Sequence, residues 1–391
     1  MGSLGSAMDN LTHSLVGLTA AKAGLDKLSP GATTLCVLAA NAPDIDILVL
    51  IFRGRWAFLQ HHRGLTHSIV GAAALAFLLP LAFYLGDRIL AQLRSREPRV
   101  RFMGLLLASV LATATHPLLD WSNNYGMRFL LPWNPRWFYG DFTFVVDPFF
   151  WIVLGGAAFL VTTKTTRHVI IWFAIALIPS FLVLGGSSGA ARLANEMLLR
   201  VLWIVALIVL VTLYRRRFGE RLGVKVAIAA LATVTIYSAA LFATHAIALR
   251  QGSVQAAAVA NSHNEQLLQV AAMATLANPT EWLCVMETDR ATYRFRLSLL
   301  HTPPGSSDVS RFEKPVGLEA AAVDQADRDE RAQIFLGFSR FPSERVVGED
   351  CATQTLVQFA DLRYTEPGRE AGNGRDTFSL QVPVDCPVLD K

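Results

Sequence analysis

Charged side chains are scarce in this chain. Asp, Glu, Lys and Arg make up only 17% of its 391 residues, against 52% hydrophobic residues, and that balance excludes an ordinary soluble globular protein. The net charge is only +4, so the charge total gives no support for nucleic-acid binding; Lys and Arg fall instead in short loops between apolar runs. A basic n-region is missing after Met8, so no cleavable signal peptide is expected there. Residues 1–7, Gly/Ser-rich and followed by a second methionine, read as a vector-derived remnant outside the fold. Cysteines number four. Cys36 lies in an apolar run and reads as a small packing residue. Cys284, Cys351 and Cys386 lie after residue 250, where two of them can pair in a disulfide outside the cytoplasm and leave one over.

What fills the first part of the chain is a series of long apolar segments. Those at roughly 66–86, 102–120, 146–163, 168–186, 197–214 and 223–248 approach or reach the ~20 residues that cross a hydrocarbon core. Two earlier ones are irregular: 11–25 is short, and 32–52 is interrupted by Asn41-Ala42-Pro43-Asp44-Ile45-Asp46. Proline removes a backbone donor and forces its predecessor out of helical geometry, which predicts a broken or re-entrant helix facing a cavity, a device that often marks a membrane site. The fold class expected is an all-α polytopic membrane domain of about eight segments (8–249), followed by a small, mostly β soluble domain (250–391). In the latter, Gln251 to Leu276 reads as helical, and Tyr293–Leu297, Ile334–Phe338, Thr355–Phe359 and Phe378–Val382 read as strands.

Basic residues orient the spans. Lys22, Lys27, Arg88, Arg94, Arg96, Arg99, Arg101, Lys164, Arg167, Arg215, Arg216, Arg217, Arg221 and Lys225 place fourteen charges on one side. The other side carries six: Arg53, Arg55, Arg63, Arg128, Arg136 and Arg192. By the positive-inside rule both termini and the C-terminal domain are expected outside the cytoplasm.

On that same outer side the sequence gathers polar groups that are costly in spans. His61, His62 and His67 lie in His61-His62-Arg63-Gly64-Leu65-Thr66-His67-Ser68, and Leu65 to Gly71 repeats Leu11-Thr12-His13-Ser14-Leu15-Val16-Gly17 with one Leu-to-Ile change. Two helices are therefore expected to present His13 and His67 alike. Asp44 and Asp46 sit at the break in the second segment; His116 and Asp120 are four apart, one helical turn on a shared face. A lone histidine at a helix start is more often a capping or hydrogen-bonding group than a ligand, but this set on one side points to a shared metal site. His67, His116, Asp120 and one of Asp44 and Asp46 lead it; His13 and His62 follow, and His61 is the weakest member. Mixed imidazole and carboxylate donors suit zinc, one or two ions, or manganese, and such an ion activates water. Asp44 or Asp46 can bridge two ions or act as general base. Arg63 is placed either on an anionic substrate group or at the interface as an anchor. The loop from Trp121 to Asp147 carries Tyr125, Arg128, Trp133, Arg136 and Trp137, either as an interfacial aromatic belt or as a cradle for a lipid or amphipathic substrate.

These motifs, with Asn10-Leu11-Thr12-His13-Ser14 and the Tyr125-Gly126 to Asp147-Pro148 loop, resemble the bacterial family of LexA-regulated, inner-membrane, metal-dependent hydrolases over residues 8–165. The order Asp, His, then His-x-x-x-Asp is also distantly similar to zinc-dependent phospholipase C. That resemblance implies Asp44 or Asp46, His67, His116 and Asp120 as ligands, with His13 serving a further ion. No second His-x-x-x-Glu pair follows, so one or two ions are expected rather than three. The expected function is hydrolysis of an ester or phosphoester in a membrane lipid or lipid-linked substrate at the outer face of the inner membrane. The alternatives are a metal- or proton-coupled transporter, and a scaffold with a structural metal. Oligomeric state is left open.

Overall fold

A computed structural model describes residues 2–185, 196–300, 308–347, 354–367 and 378–385. Arg192, His301, Cys351 and Cys386 lie outside the described residues. Its N-terminal part is built from apolar helices; among the described residues six helical stretches, Ala32–His61 counted as one, are long and apolar enough to cross a membrane. α1 (Gly2–Lys22) packs against α2 (Ala32–Asn41), and α2 against α4 (Ile69–Leu93) and α5 (Phe102–Ser122). The contact surfaces are small residues, Ala21, Ala32, Cys36, Ala39, Ala108 and Ala112, which let helix backbones approach where lipid offers no hydrophobic drive for association. A Cβ at Gly17 would stand 2.5 Å from Cys36 O, so glycine there permits the α1–α2 contact. The other flank of α1 meets a second group: α6 (Pro148–Phe150), running through a π turn into α7 (Gly156–Thr162), with α8 (Thr166–Gly185), α9 (Glu196–Arg215) and α11 (Val224–Ser262) around Leu15, Trp151, Leu154 and Trp203. The short α10 (Phe218–Leu222) turns the chain into α11. α1 is helical from Gly2 onward.

The interruption expected in the second segment is real and goes further than a break. After α2, a 3-10 turn covers Ala42–Asp46, and α3 (Ile47–His61) is two helical arms meeting at Gly54, φ 80°. A straight fifteen-residue helix would separate its ends by about 22 Å, yet His62 Nδ1 lies 3.2 Å from Asp46. The chain therefore doubles back at Gly54 as a re-entrant hairpin, and its second arm packs Trp56 and Leu59 on the C-terminal domain.

α11 has 39 residues, about 58 Å of helix, roughly twice a hydrocarbon core. Its far end carries Ala248, Ala256 and Ala260 into the core of the first sheet. The composition change near residue 250 thus falls inside one helix. The helical reading of Gln251 to Leu276 holds only to Ser262, since β1 begins at Leu267. β1 (Leu267–Thr275), β2 (Asn278–Thr288), β3 (Ala291–Ser298) and β4 (Ser310–Glu313) form an antiparallel sheet in sequential order. β5 (Pro342–Val347), β6 (Gln354–Asp361) and β7 (Ser379–Asp385) form a second; on β7, Leu380, Val382 and Val384 alternate inward. α12 (Leu318–Ala326) and α13 (Glu330–Phe338) cover the second sheet. Ile334–Phe338, expected as a strand, is helical. Asp329 caps α13 by accepting from Arg331 N at 2.8 Å, and buried Ala332, Phe335 and Phe338 follow at steps of three. Among the described residues Cys36 and Cys284 are buried free thiols.

Candidate metal centre

Each donor of the centre is set by a local feature of the backbone. His67 sits in a 3-10 turn, Leu65–His67, one residue before α4. Ser68 caps that helix, its Oγ accepting from Gly71 N at 3.1 Å. A Cβ at Gly71 would lie 1.8 Å from Leu65 O, so the turn closes only over glycine. His116 and Asp120 occupy the last turns of α5 around Pro117, and Asp44 and Asp46 come from the 3-10 turn before the hairpin. Asp44, His67, His116 and Asp120 approach one point, and Asp46 lies beside it.

His116 Nδ1 is 2.7 Å from Ala40 O, which assigns the ring proton to Nδ1 and leaves the Nε2 lone pair facing inward. His67 Nδ1 lies 3.1 Å from Thr66 Oγ1 and 3.4 Å from Asp46 Oδ2, with the same result. The two Nε2 atoms then stand 3.1 Å apart. Two lone pairs cannot hydrogen-bond each other; a cation between them resolves the conflict. His67 Nε2 is 3.3 Å from Asp44 Oδ1 and 3.3 Å from Asp120 Oδ2, and His116 Nε2 is 3.6 and 3.3 Å from the same two oxygens. A tetrahedral zinc site with bonds of about 2.0–2.1 Å has edges of roughly 3.3–3.4 Å. The donor set fits a divalent ion.

Asp44, Asp46 and His62 form a second donor group that shares Asp44 with the first. Asp46 is gripped from two sides: His62 Nδ1 is 3.2 Å from each carboxylate oxygen, and Arg63 N donates to Oδ2 at 3.1 Å. Arg63 adopts φ 51°, the left-handed region that costs a non-glycine residue about 1 kcal/mol, and the bond to Asp46 helps to hold it there.

The side chain of Arg63 is 3% exposed. Nη2 lies 2.8 Å from Asp120 Oδ1, and Nη1 donates to Asp120 O at 3.1 Å and Asn123 Oδ1 at 2.8 Å. Its role in the geometry is to fix a ligand, in place of either position expected from the sequence. His13 is fully buried on α1 and stacks on His116, ring centroids 3.8 Å apart. Its Nε2 is 3.5 Å from Asp120 Oδ1, and it belongs to neither donor group. The sequence repeat therefore spans two conformations, a mid-helix segment around His13 and a 3-10 turn at His67, and does not present its histidines alike. His61 is exposed.

The C-terminal domain closes the centre from one side. Arg363 is buried beside Asp361, 2.6 Å away, and donates to Asn124 O at 2.9 Å and Tyr125 O at 3.2 Å. Tyr364 Oη donates to Asn124 O, and Trp137 Nε1 to Gly337 O. Tyr125 stacks under Arg63 at 4.8 Å and meets Phe338 at 4.8 Å; burial pushes its phenol up from the ordinary range, so it stays neutral. Arg128 donates to Gln60 O and His62 O and lies over Trp137. Of the five residues expected to cradle substrate, Tyr125, Arg128 and Trp137 are built into this domain junction, Arg136 is exposed and Trp133 is 78% exposed. Sequence reading missed Asn123, Asn124, Arg363 and Tyr364; Asn123 and Asn124 adjoin the His116–Asp120 motif, whereas nothing near Arg363 signals a site.

Residues 8–191, which contain both donor groups, match the family model described as YdjM inner membrane protein. The chain is also similar to a curated protein, the uncharacterized protein YfhP of Bacillus subtilis (strain 168), with 27% identity over 219 residues, 54% of this chain and 57% of that protein. The chain thus spans little more than half the length of that relative. No solved structure matches. These likenesses and the six apolar helices describe a membrane protein similar to an inner-membrane family.

Proposed function

We propose that this chain is a membrane-embedded, metal-dependent hydrolase acting on an ester or phosphoester of a lipid-like substrate. The observation that carries the reading is the second donor group. Asp44, His67, His116 and Asp120 alone are four donors, the complement of a closed structural site. Asp44, Asp46 and His62 are three, on the side where Asp44 and His62 keep 15% and 12% exposure. One or two divalent ions, zinc or manganese, would be held here and would polarise the substrate and lower the pKa of water. Asp44, common to both groups, is the candidate bridge. Asp46, oriented by Arg63 N and His62, would be either the third donor of that group or, where it is left off the metal, the carboxylate that takes the proton of the attacking water. Arg63 holds Asp120 in place, and the junction formed by Tyr125, Trp137 and Phe338 keeps bulk water from that side.

The donors cluster at helix ends: His67 precedes α4 and Asp120 closes α5. That favours an interfacial hydrolase over an ion-coupled transporter, whose site belongs near the midplane. Arg101 donates to Lys27 O, which brings two basic loops together at the opposite helix ends. With the positive-inside rule, that pairing supports a centre and a C-terminal domain outside the cytoplasm.

Elemental analysis of the purified protein tests the reading, with turnover of phospholipid and soluble esters. Stoichiometric Zn or Mn is expected, lost in His67→Ala with Asp120→Ala. Asp46→Asn is expected to lower turnover about 10²–10⁴-fold. Metal-free wild type, with activity unaffected in the double variant, overturns the proposal.

A further inference from the structure

The first arm of the hairpin carries a stripe that the metal centre does not use. Ile45, Leu48, Ile51 and Phe52 recur at helical spacing and are 53, 44, 68 and 79% exposed. The second arm is the opposite, with Trp56 and Leu59 packed into the C-terminal core. One arm is thus spent on protein, and the other is left uncovered among the described residues.

The stripe starts beside Asp44, the carboxylate common to both donor groups. The 3-10 turn that holds Asp44 packs on the turn that holds His67. From that second turn Leu65 and Ile69, 56 and 62% exposed, continue the apolar surface onto α4, a helix of membrane-spanning length. At the hairpin tip the surface turns basic, with Arg53 exposed and Arg55 half-buried over the Trp56 ring, 4.3 Å from its centroid. An apolar helical face continuous with a span and ending in arginines has the pattern of an element lying in one leaflet with its cations at head-group level.

We infer that the first arm of the hairpin is immersed in the leaflet at the metal-centre end of the molecule and docks the acyl portion of a membrane phospholipid, bringing its head-group ester to Asp44. The docking surface stands on the exposure pattern; the delivery of an ester rests on the hydrolase reading.

The test uses the full chain in phosphatidylethanolamine and phosphatidylglycerol vesicles. A benzophenone amino acid replaces Ile51 or Phe52, and Gln60, exposed on the second arm, serves as control. Acyl-chain adducts at 51 and 52 above the control are expected; control-level adducts, or cross-links to a second copy of the chain instead of lipid, overturn the docking surface. Ile51→Glu with Phe52→Glu is expected to slow turnover of vesicle phospholipid about tenfold or more, while a soluble nitrophenyl diester is cleaved within about twofold of the wild-type rate. Equal loss on both substrates overturns the inference and spares the hydrolase reading. If the wild type cleaves neither substrate, the hydrolase reading falls and delivery to Asp44 with it, and the adducts alone decide the docking.

Discussion

Replacing Arg63 separates two accounts of that residue. As an anion binder it would be exposed to substrate, and Arg63→Ala would raise KM while leaving the folded state much as it was. The structure gives it other work: a 2.8 Å contact with Asp120 Oδ1, two further bonds to Asp120 O and Asn123, and a stack on Tyr125, all at 3% exposure. A pair of unit charges 4 Å apart at an effective dielectric near 20 interacts by about 4 kcal/mol, and removing one partner of a buried pair costs about 3–5 kcal/mol because the other charge stays buried. Arg63→Ala is therefore expected to lose stability on that scale in the metal-free protein. A divalent ion would give Asp120 a second positive partner, so the loss should shrink when metal is added. By linkage, the folded variant then binds metal more tightly than wild type does. Arg63→Lys keeps the charge without the planar fork and should lose about 1–3 kcal/mol. Thermal unfolding in detergent, with chelator and then with zinc, reads all three quantities. A metal-free Arg63→Ala that unfolds at the wild-type temperature would refute the reasoning.

Other outcomes follow from the same geometry. Gly71→Ala places a Cβ 1.8 Å from a backbone oxygen and is expected to abolish the His67 turn, read as loss of bound metal with the helical circular dichroism largely kept; retained stoichiometric metal would contradict it. His13→Phe keeps the stack on His116 and removes no donor of either group, so metal content by elemental analysis should be unchanged. In the C-terminal domain, burial of Glu265 pushes its pKa up, but hydrogen bonds from Thr288, Arg311 and Tyr293 outweigh it and hold the carboxyl below its ordinary range. A carboxylate lowered in the folded state stabilises above its unfolded pKa of about 4.3 and loses that contribution as pH falls through the lower folded value. Chemical unfolding of wild type should thus show a fall in stability below about pH 4.5 that Glu265→Gln lacks, and the variant should be less stable at pH 7 by about 1–3 kcal/mol. Parallel pH curves would exclude this role.

The spans and the candidate metal donors were legible because membranes punish polar groups: His67, His116, Asp120 and Asp44 stood out against apolar sequence, and Pro43 announced the break beside them. The hairpin was legible only as a break: Arg53 and Arg55 flank Gly54 and were counted on the outer side, but nothing local says that the chain reverses between them. His13 misled because a seven-residue repeat carries no record of its setting; helix packing decides that one copy stays helical while Gly71 and the Ser68 cap shape the other. Arg63 could not be placed from sequence, as its partner Asp120 is 57 positions away. Arg363 was invisible for the same reason on a larger scale. The β domain suffered from short runs: Ile334 to Phe338 is apolar enough for a strand, and only the cap at Asp329 and the steps of three to Phe335 and Phe338 reveal a helix.

The bonds from Arg363 and Tyr364 to Asn124 and Tyr125 join residues 238 to 240 positions apart. A ribosome delivers the membrane helices long before it delivers Arg363, so the loop beside the metal donors must wait through the synthesis of most of the chain with its carbonyls unsupported. Such a distant closing contact makes completion of the centre a late event in biogenesis, after the last strands have folded. Chains truncated before residue 361 should therefore insert their helices and still emerge with an unfinished centre, which couples maturation of this protein to its own C-terminus.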